Sequence, residues 1–112
     1  MEIVFLDTGI FVAFLTKKDQ WHQQAVNLFS QPKPRWCTSF LIMSESYSWF
    51  LHRRGEDAAR KFRSFFAELD GLTVFDITRE HHHYTLEMLD QYRGTKLTYV
   101  DASSLCFINS TP

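Results

Sequence analysis

The sequence predicts an α/β domain built on a short parallel sheet. Residues 3–6 (Ile-Val-Phe-Leu) form an unbroken apolar run, too short for an ordinary helix and suited to a strand covered on both faces. Two further short strand-like runs lie at 35–38 and 72–75. Between them the apolar residues recur at helical spacing, and strands alternating with helices lie parallel.

After the first strand, Asp7, Thr8 and Gly9 turn the chain into a short apolar helix or turn at 10–15. Asp19 is a good N-cap, and Trp21, Ala25, Leu28 and Phe29 follow at helical spacing until Pro32 and Pro34 break the helix. The second strand ends at Thr38. Thr38 or Ser39 then caps a helix over 40–54 that Gly55 closes. An amphipathic helix over 56–70 turns Ala58, Phe62, Phe65, Phe66 and Leu69 inward, with Gly71 as its stop. Beyond the third strand a helix starts near Thr78, carries His81, Thr85, Met88, Leu89 and Tyr92 on one face, and ends at Gly94. Thr98 and Asp101 match a capping box that opens the last helix.

The length of 112 residues fits one domain with one modest core, and 11 Phe, 4 Tyr and 3 Trp make the chain rich in aromatics. A net charge of −1 excludes a generally basic, nucleic-acid-coating protein but leaves room for a local basic patch. Cys37 and Cys106 read as reduced thiols of a cytoplasmic protein, since there is no secretory signal, metal-thiolate spacing or long apolar run.

Three acids resist the patterning that sends charges to solvent. Asp7 ends an apolar strand, at the edge where parallel sheets carry their sites. Glu45 lies one turn after Leu41 and one before Trp49, on a stripe expected to face protein. Asp101 precedes Leu105 and Ile108 in the same way. Each has a plain reading: a helix cap for Asp7, an ion pair for Glu45, the capping box for Asp101. Read together they form a cluster. Converging carboxylates repel unless a cation sits between them, and hard oxygen ligands select Mg²⁺ or Mn²⁺. Phosphoryl or phosphodiester transfer commonly needs such a site.

Strand-Asp7-Thr8, then Ser44-Glu45 inside an apolar helix, then Leu97-Thr98-Tyr99-Val100-Asp101-Ala102 opening a late helix resembles the PIN-domain ribonucleases. Among them the pattern is most similar to stand-alone toxins of the VapC type found in toxin–antitoxin pairs. Each motif is short, but the ordered set spans nearly the whole chain. The resemblance implies a PIN-like three-layer fold and an endoribonuclease that uses Mg²⁺ or Mn²⁺ to cleave RNA. It makes Asp7, Glu45 and Asp101 the catalytic metal ligands, and gives Thr8, with Ser103 or Ser104, supporting or substrate contacts. It also implies a homodimer, and a small antitoxin whose basic side chain enters the acidic pocket. Members of the family carry a fourth acid after a further strand, and no Asp or Glu follows Asp101 here. Residues 1–112 therefore read as a single PIN-like domain whose final strand or strands are missing. The alternative function is a catalytically impaired module that dimerises or binds the antitoxin.

Other features carry less. Arg53 and Arg54, beside His52 and followed by Arg60, Lys61 and Arg63, give a local positive excess suited to RNA phosphates or to a solvated face. Trp21, Trp36 and Trp49 are expected in the core, with base stacking as the other possibility. His81-His82-His83 point around a helix and do not converge on a metal. Asp76, just after the third strand, is expected to be a loop cap for the next helix, with extension of the acidic edge as the other possibility. An Asp-phosphorylating protein is set aside: a phosphatase needs a second Asp where Gly9 stands, and a receiver needs paired acids beside Asp7.

Overall fold

In the computed structural model, which describes residues 3–32 and 35–110, the expected strands and helices appear in the expected order. They are β1 (Ile3–Phe5), α1 (Thr8–Leu15), α2 (His22–Phe29), β2 (Arg35–Ser39), α3 (Phe40–Arg54), α4 (Glu56–Glu68), β3 (Leu72–Phe75), α5 (Arg79–Gln91) and α6 (Tyr99–Ser110). The strands are parallel in the order β1-β2-β3, with Val4 opposite Trp36 and Cys37 opposite Thr73. This is the three-layer α/β arrangement that the alternation predicts.

Caps set most of the helix starts. Ser39 Oγ accepts from the Ile42 amide at 3.2 Å, and Thr78 Oγ1 accepts from the His81 amide at 3.1 Å. Thr98 and Asp101 satisfy each other's amides reciprocally, at 3.1 and 3.4 Å. Two starts differ from the sequence reading. The first helix already includes Thr8 and Gly9, because Asp7 caps it through the Ile10 amide at 3.1 Å. The second begins at His22, not just after Asp19. The Asp19 carboxylate binds the Trp21 amide at 2.8 Å and its carbonyl takes the His22 amide at 3.1 Å, closing a turn ahead of the helix.

Gly55 joins α3 to α4 at φ 94°, a backbone region that side chains other than glycine's rarely enter. That tight junction lays α4 against α3, so Phe62 stacks on Phe50 at 5.4 Å and meets Phe11 edge-on at 5.4 Å. Leu6, Phe11, Trp36, Ile42, Phe50, Ala59 and Phe62 form the buried core. Burying each large side chain contributes roughly 1.5–3 kcal/mol. Of the tryptophans, Trp36 is buried and Trp49 half-buried, but Trp21 is 57% exposed, against the expectation that it packs in the core.

Helices α5 and α6 pack on each other more than on any other element. The Phe107 ring ties them to the sheet by stacking on Phe75 at 4.7 Å and lying 6.3 Å from Phe5. Both cysteines are free thiols, Cys37 buried and Cys106 half-buried, and burial pushes both above the ordinary thiol range. Among the described residues no helix is long and apolar enough to cross a membrane.

Candidate active site

Strand β1 delivers Asp7 to the sheet's C-terminal edge. Pairing continues one residue past the strand, where the Leu6 amide donates to the Cys37 carbonyl at 2.8 Å. The buried Thr38 hydroxyl then donates to the Leu6 carbonyl at 2.6 Å. The backbone just before Asp7 is thus clamped on both polar groups, and the cap to Ile10 orients one carboxylate oxygen. Sequence Thr-Ser at the end of β2 is therefore positional: Thr38 holds the neighbouring strand while Ser39 starts α3.

Helix α3 brings Glu45 to the same edge. The Thr8 hydroxyl donates to Glu45 Oε1, and Ser46, fully buried, donates to Thr8 Oγ1 at 3.2 Å. This chain of hydroxyls links the first turn of α1 to α3. Sequence reasoning missed Ser46. Its signal is present in the sequence: Ser46 sits between Ile42 and Phe50 at four-residue spacing, a polar residue on the buried stripe.

Helix α6 reaches the site because its first turns lie beside the first turn of α5. His82 Nδ1 and the Tyr99 hydroxyl are 2.8 Å apart, as are His81 Nε2 and Ser103 Oγ. Tyr99 and Ser103, four residues apart, occupy the face toward α5. Asp101, Ser104, Leu105 and Ile108 share another face, and they line a cavity of about 450 Å³ together with Asp7, Thr8 and Glu45. A roomier cavity of about 580 Å³ beside Tyr84, Met88 and Phe107 contains none of the three acids, so volume does not pick out the site.

The three acids do share one groove, yet their setting differs from the expected one. Asp7, Glu45 and Asp101 are all exposed, and Ile108 is 46% exposed. The stripe that carries Asp101 borders this opening through Leu105 and Ile108 instead of being covered by protein, whereas Leu41 and Trp49, one turn either side of Glu45, are half-buried away from it. Ser103 is also placed differently from the expectation of a substrate contact: it is 1% exposed and bonded to His81, while Ser104 lines the groove. Arg53 and Arg54 stand eight and nine residues beyond Glu45, about 12 Å or more along the helix axis. Arg53 lies over Trp49 at 6.0 Å, Arg54 donates to Thr16 at 3.2 Å, and Arg60 pairs with Glu56 at 2.9 Å. His52, Arg53 and Arg54 also fill the last turn of α3, where cations offset the negative end of the helix.

Whether the groove suits a cation can be judged from its donors. Three carboxylates and two hydroxyl side chains line it, and no Lys or Arg is among the described lining residues. That is a hard-oxygen set without a protein counter-charge. Among the described residues, however, no three His, Cys, Asp or Glu side chains are drawn close enough to grip one ion together. The donor chemistry fits a divalent cation; the carboxylates flank the groove without forming a finished three-ligand shell.

Residues 4–108 match the family model of the PIN domain. The chain belongs to the PIN domain family. None of the curated proteins matches it in sequence. Its fold is similar to that of Mycobacterium tuberculosis VapC20, a Sarcin-Ricin loop cleaving toxin, with a TM-score of 0.84 and 22% identity over 96% of this chain and 82% of that one. It is also similar to VapBC2 from Rickettsia felis, whose structure is bound to a DNA fragment from their promoter. There the TM-score is 0.63 and the identity 15%, covering 96% of this chain and 83% of that chain. At these identities the likeness is one of fold.

Proposed function

We propose that this PIN domain is a toxin-type endoribonuclease that hydrolyses RNA phosphodiester bonds at the groove between β1, α3 and α6. The observation that carries the reading is the gathering of Asp7, Glu45 and Asp101, from three distant parts of the chain, along one groove with no basic residue among its described lining. Asp7 and Glu45, with Asp101 across from them, would hold Mg²⁺ or Mn²⁺. A bound ion of this kind would acidify and orient a water and offset charge on the phosphate.

The chain's own groups then have distinct tasks. Thr8, backed by Ser46, holds Glu45 in place, so the carboxylate need not be ordered when substrate arrives. The cap to Ile10 does the same for Asp7. Leu97, Val100 and Leu105 wall the groove and limit water around the reacting phosphate. Of the two serines that the resemblance offers, Ser104 supports the strand from α6. Arg53 and Arg54 meet phosphates away from the scissile one, given their separation from Glu45.

Uncompensated carboxylates also suit a small antitoxin that inserts a Lys or Arg into the groove, and the reading includes a homodimer acting in the cytoplasm. The second reading, an impaired module that only binds partners, is favoured by the three acids standing apart. One experiment separates them. RNA cleavage is measured with Mg²⁺, Mn²⁺ or chelator, for wild type and Asp7→Asn. Asn keeps the cap oxygen and so the fold. Cleavage should be abolished by chelator and fall roughly a hundredfold or more in the variant, at unchanged melting temperature. Equal cleavage by both proteins rejects the acid assignment. No cleavage by wild type at millimolar Mn²⁺ selects the binding module.

A further inference from the structure

Beside the acidic groove lies a second, smaller one between α1 and α2, of about 290 Å³. Asp7 and Gly9 line both, so the two adjoin at these residues. Ile10, Ala13 and Leu28 give the second groove an apolar lining, to which Gln24 adds a polar group and Trp21 an aromatic ring.

Trp21 is oddly placed for a structural residue. It occupies the N-cap position of α2 and makes no side-chain cap bond, where Ser, Asp or Asn would stabilise the helix by about 1 kcal/mol. The residue is 57% exposed, so it also forgoes much of the benefit of burial. Its backbone, by contrast, is held firmly, through the amide to Asp19 at 2.8 Å and the carbonyl to Ala25 at 3.1 Å. A flat ring on an anchored backbone, next to a carboxylate proposed to act on phosphate, makes a stacking platform.

We propose that Trp21 stacks an unpaired base of the RNA, the one next to the scissile phosphate, with Gln24 reading its edge. This rests on the nuclease reading above and adds a determinant of where the strand is cut. The chemistry matches the occupant: single-stranded RNA is recognised by aromatic stacking plus hydrogen bonds to splayed base edges. The groove's volume is at the low end for a ligand pocket and accommodates one ring system, not a helix. The amide of Gln24 offers both a donor and an acceptor.

The test has two arms, so that its failure is distinct from failure of the nuclease reading. In chelator, a short unstructured RNA is titrated into wild type, Trp21→Phe and Trp21→Ala while tryptophan fluorescence is followed. Binding should quench wild type and leave Trp21→Phe, which retains Trp36 and Trp49, unquenched. Affinity should fall roughly tenfold in Trp21→Ala and much less in Trp21→Phe. In the second arm, with Mn²⁺, an abasic nucleotide is moved along the RNA. One position beside the cut should lower kcat/KM about tenfold for wild type and not at all for Trp21→Ala, because the two changes remove the same contact. Equal RNA affinity in all three proteins overturns the proposal, as does an abasic penalty that persists in Trp21→Ala, even if Asp7-dependent cleavage is intact. Fluorescence that responds to a partner protein but not to RNA assigns the groove to a polypeptide and also overturns it.

Discussion

Asp7 and Glu45 come from one kind of region and Asp101 from another. The part built from β1, β2, α1, α3 and α4 is joined by a run of rings and aliphatic groups buried around Phe11, Phe50 and Phe62. Asp7 and Glu45 extend from this body, Asp7 held by the Ile10 amide and Glu45 by the Thr8 hydroxyl, which Ser46 backs. The α5–α6 pair is fastened differently, by histidine–hydroxyl bonds within the pair and by Phe107 stacked against the sheet. Hydrophobic burial is spread over many atoms and tolerates little movement, whereas a few polar bonds at a half-exposed surface open locally at small cost. The difference gives a physical reason for three carboxylates that border one groove without closing on a single point. Two are set by the core, and the third rides on a helix pair with fewer ties to it.

The largest effect should come from cutting into the aromatic body. Phe62→Ala removes a fully buried ring that contacts Phe11, Phe50 and Phe66, and should cost about 4 kcal/mol in a denaturant titration. Against a typical total of roughly 5–15 kcal/mol, that leaves a marginal protein. A loss below about 1 kcal/mol would remove the contrast between the two regions.

A smaller, more local effect is expected from Thr98→Ala. It deletes half of the capping box that starts α6 and should cost about 1 kcal/mol. Hydrogen exchange should speed up across 99–103 and stay unchanged in α3. Uniform loss of protection over both regions would mean that α6 unfolds only with the core.

The smallest concerns His81. Burial lowers its pKa from the ordinary value near 6.5, and the bond to Ser103 opposes that only in part. The folded state therefore takes up its proton at lower pH than the unfolded state. Stability from this group is fully present above about pH 6.5 and is lost as pH falls below it. His81→Gln should flatten that acid-side decline in melting temperature. An identical pH profile for wild type and variant would dissociate His81 from the stability of the α5–α6 pair.

The strands and helices were legible because each depends on neighbours along the chain. The short runs at 3–6, 35–38 and 72–75 became β1, β2 and β3, and the capping box at Thr98 formed as read. Ser39 and not Thr38 caps α3, and Thr78, where a helix was expected to start, caps α5. The three acids were legible as exceptions to the same periodic patterns. Less visible was which way an apolar stripe faces. Leu105 and Ile108 follow Asp101 at helical spacing, yet the stripe borders an open groove, because facing depends on what other elements cover it. Ser103 and Ser104 are neighbours of identical type, and only the docking of α6 on α5 buries one and leaves the other, half-buried, to line the groove.

From sequence alone followed the α/β alternation, the PIN resemblance and the acids worth testing, since periodicity, capping and charge are local properties of the chain. Tertiary structure decided that those acids share one groove, that Ser46 and Thr8 steady Glu45, and that an exposed Trp21 lines a groove with Asp7. These are relations between residues far apart in the chain. They exist only once burial of the phenylalanine core has brought the helices to the edge of the sheet.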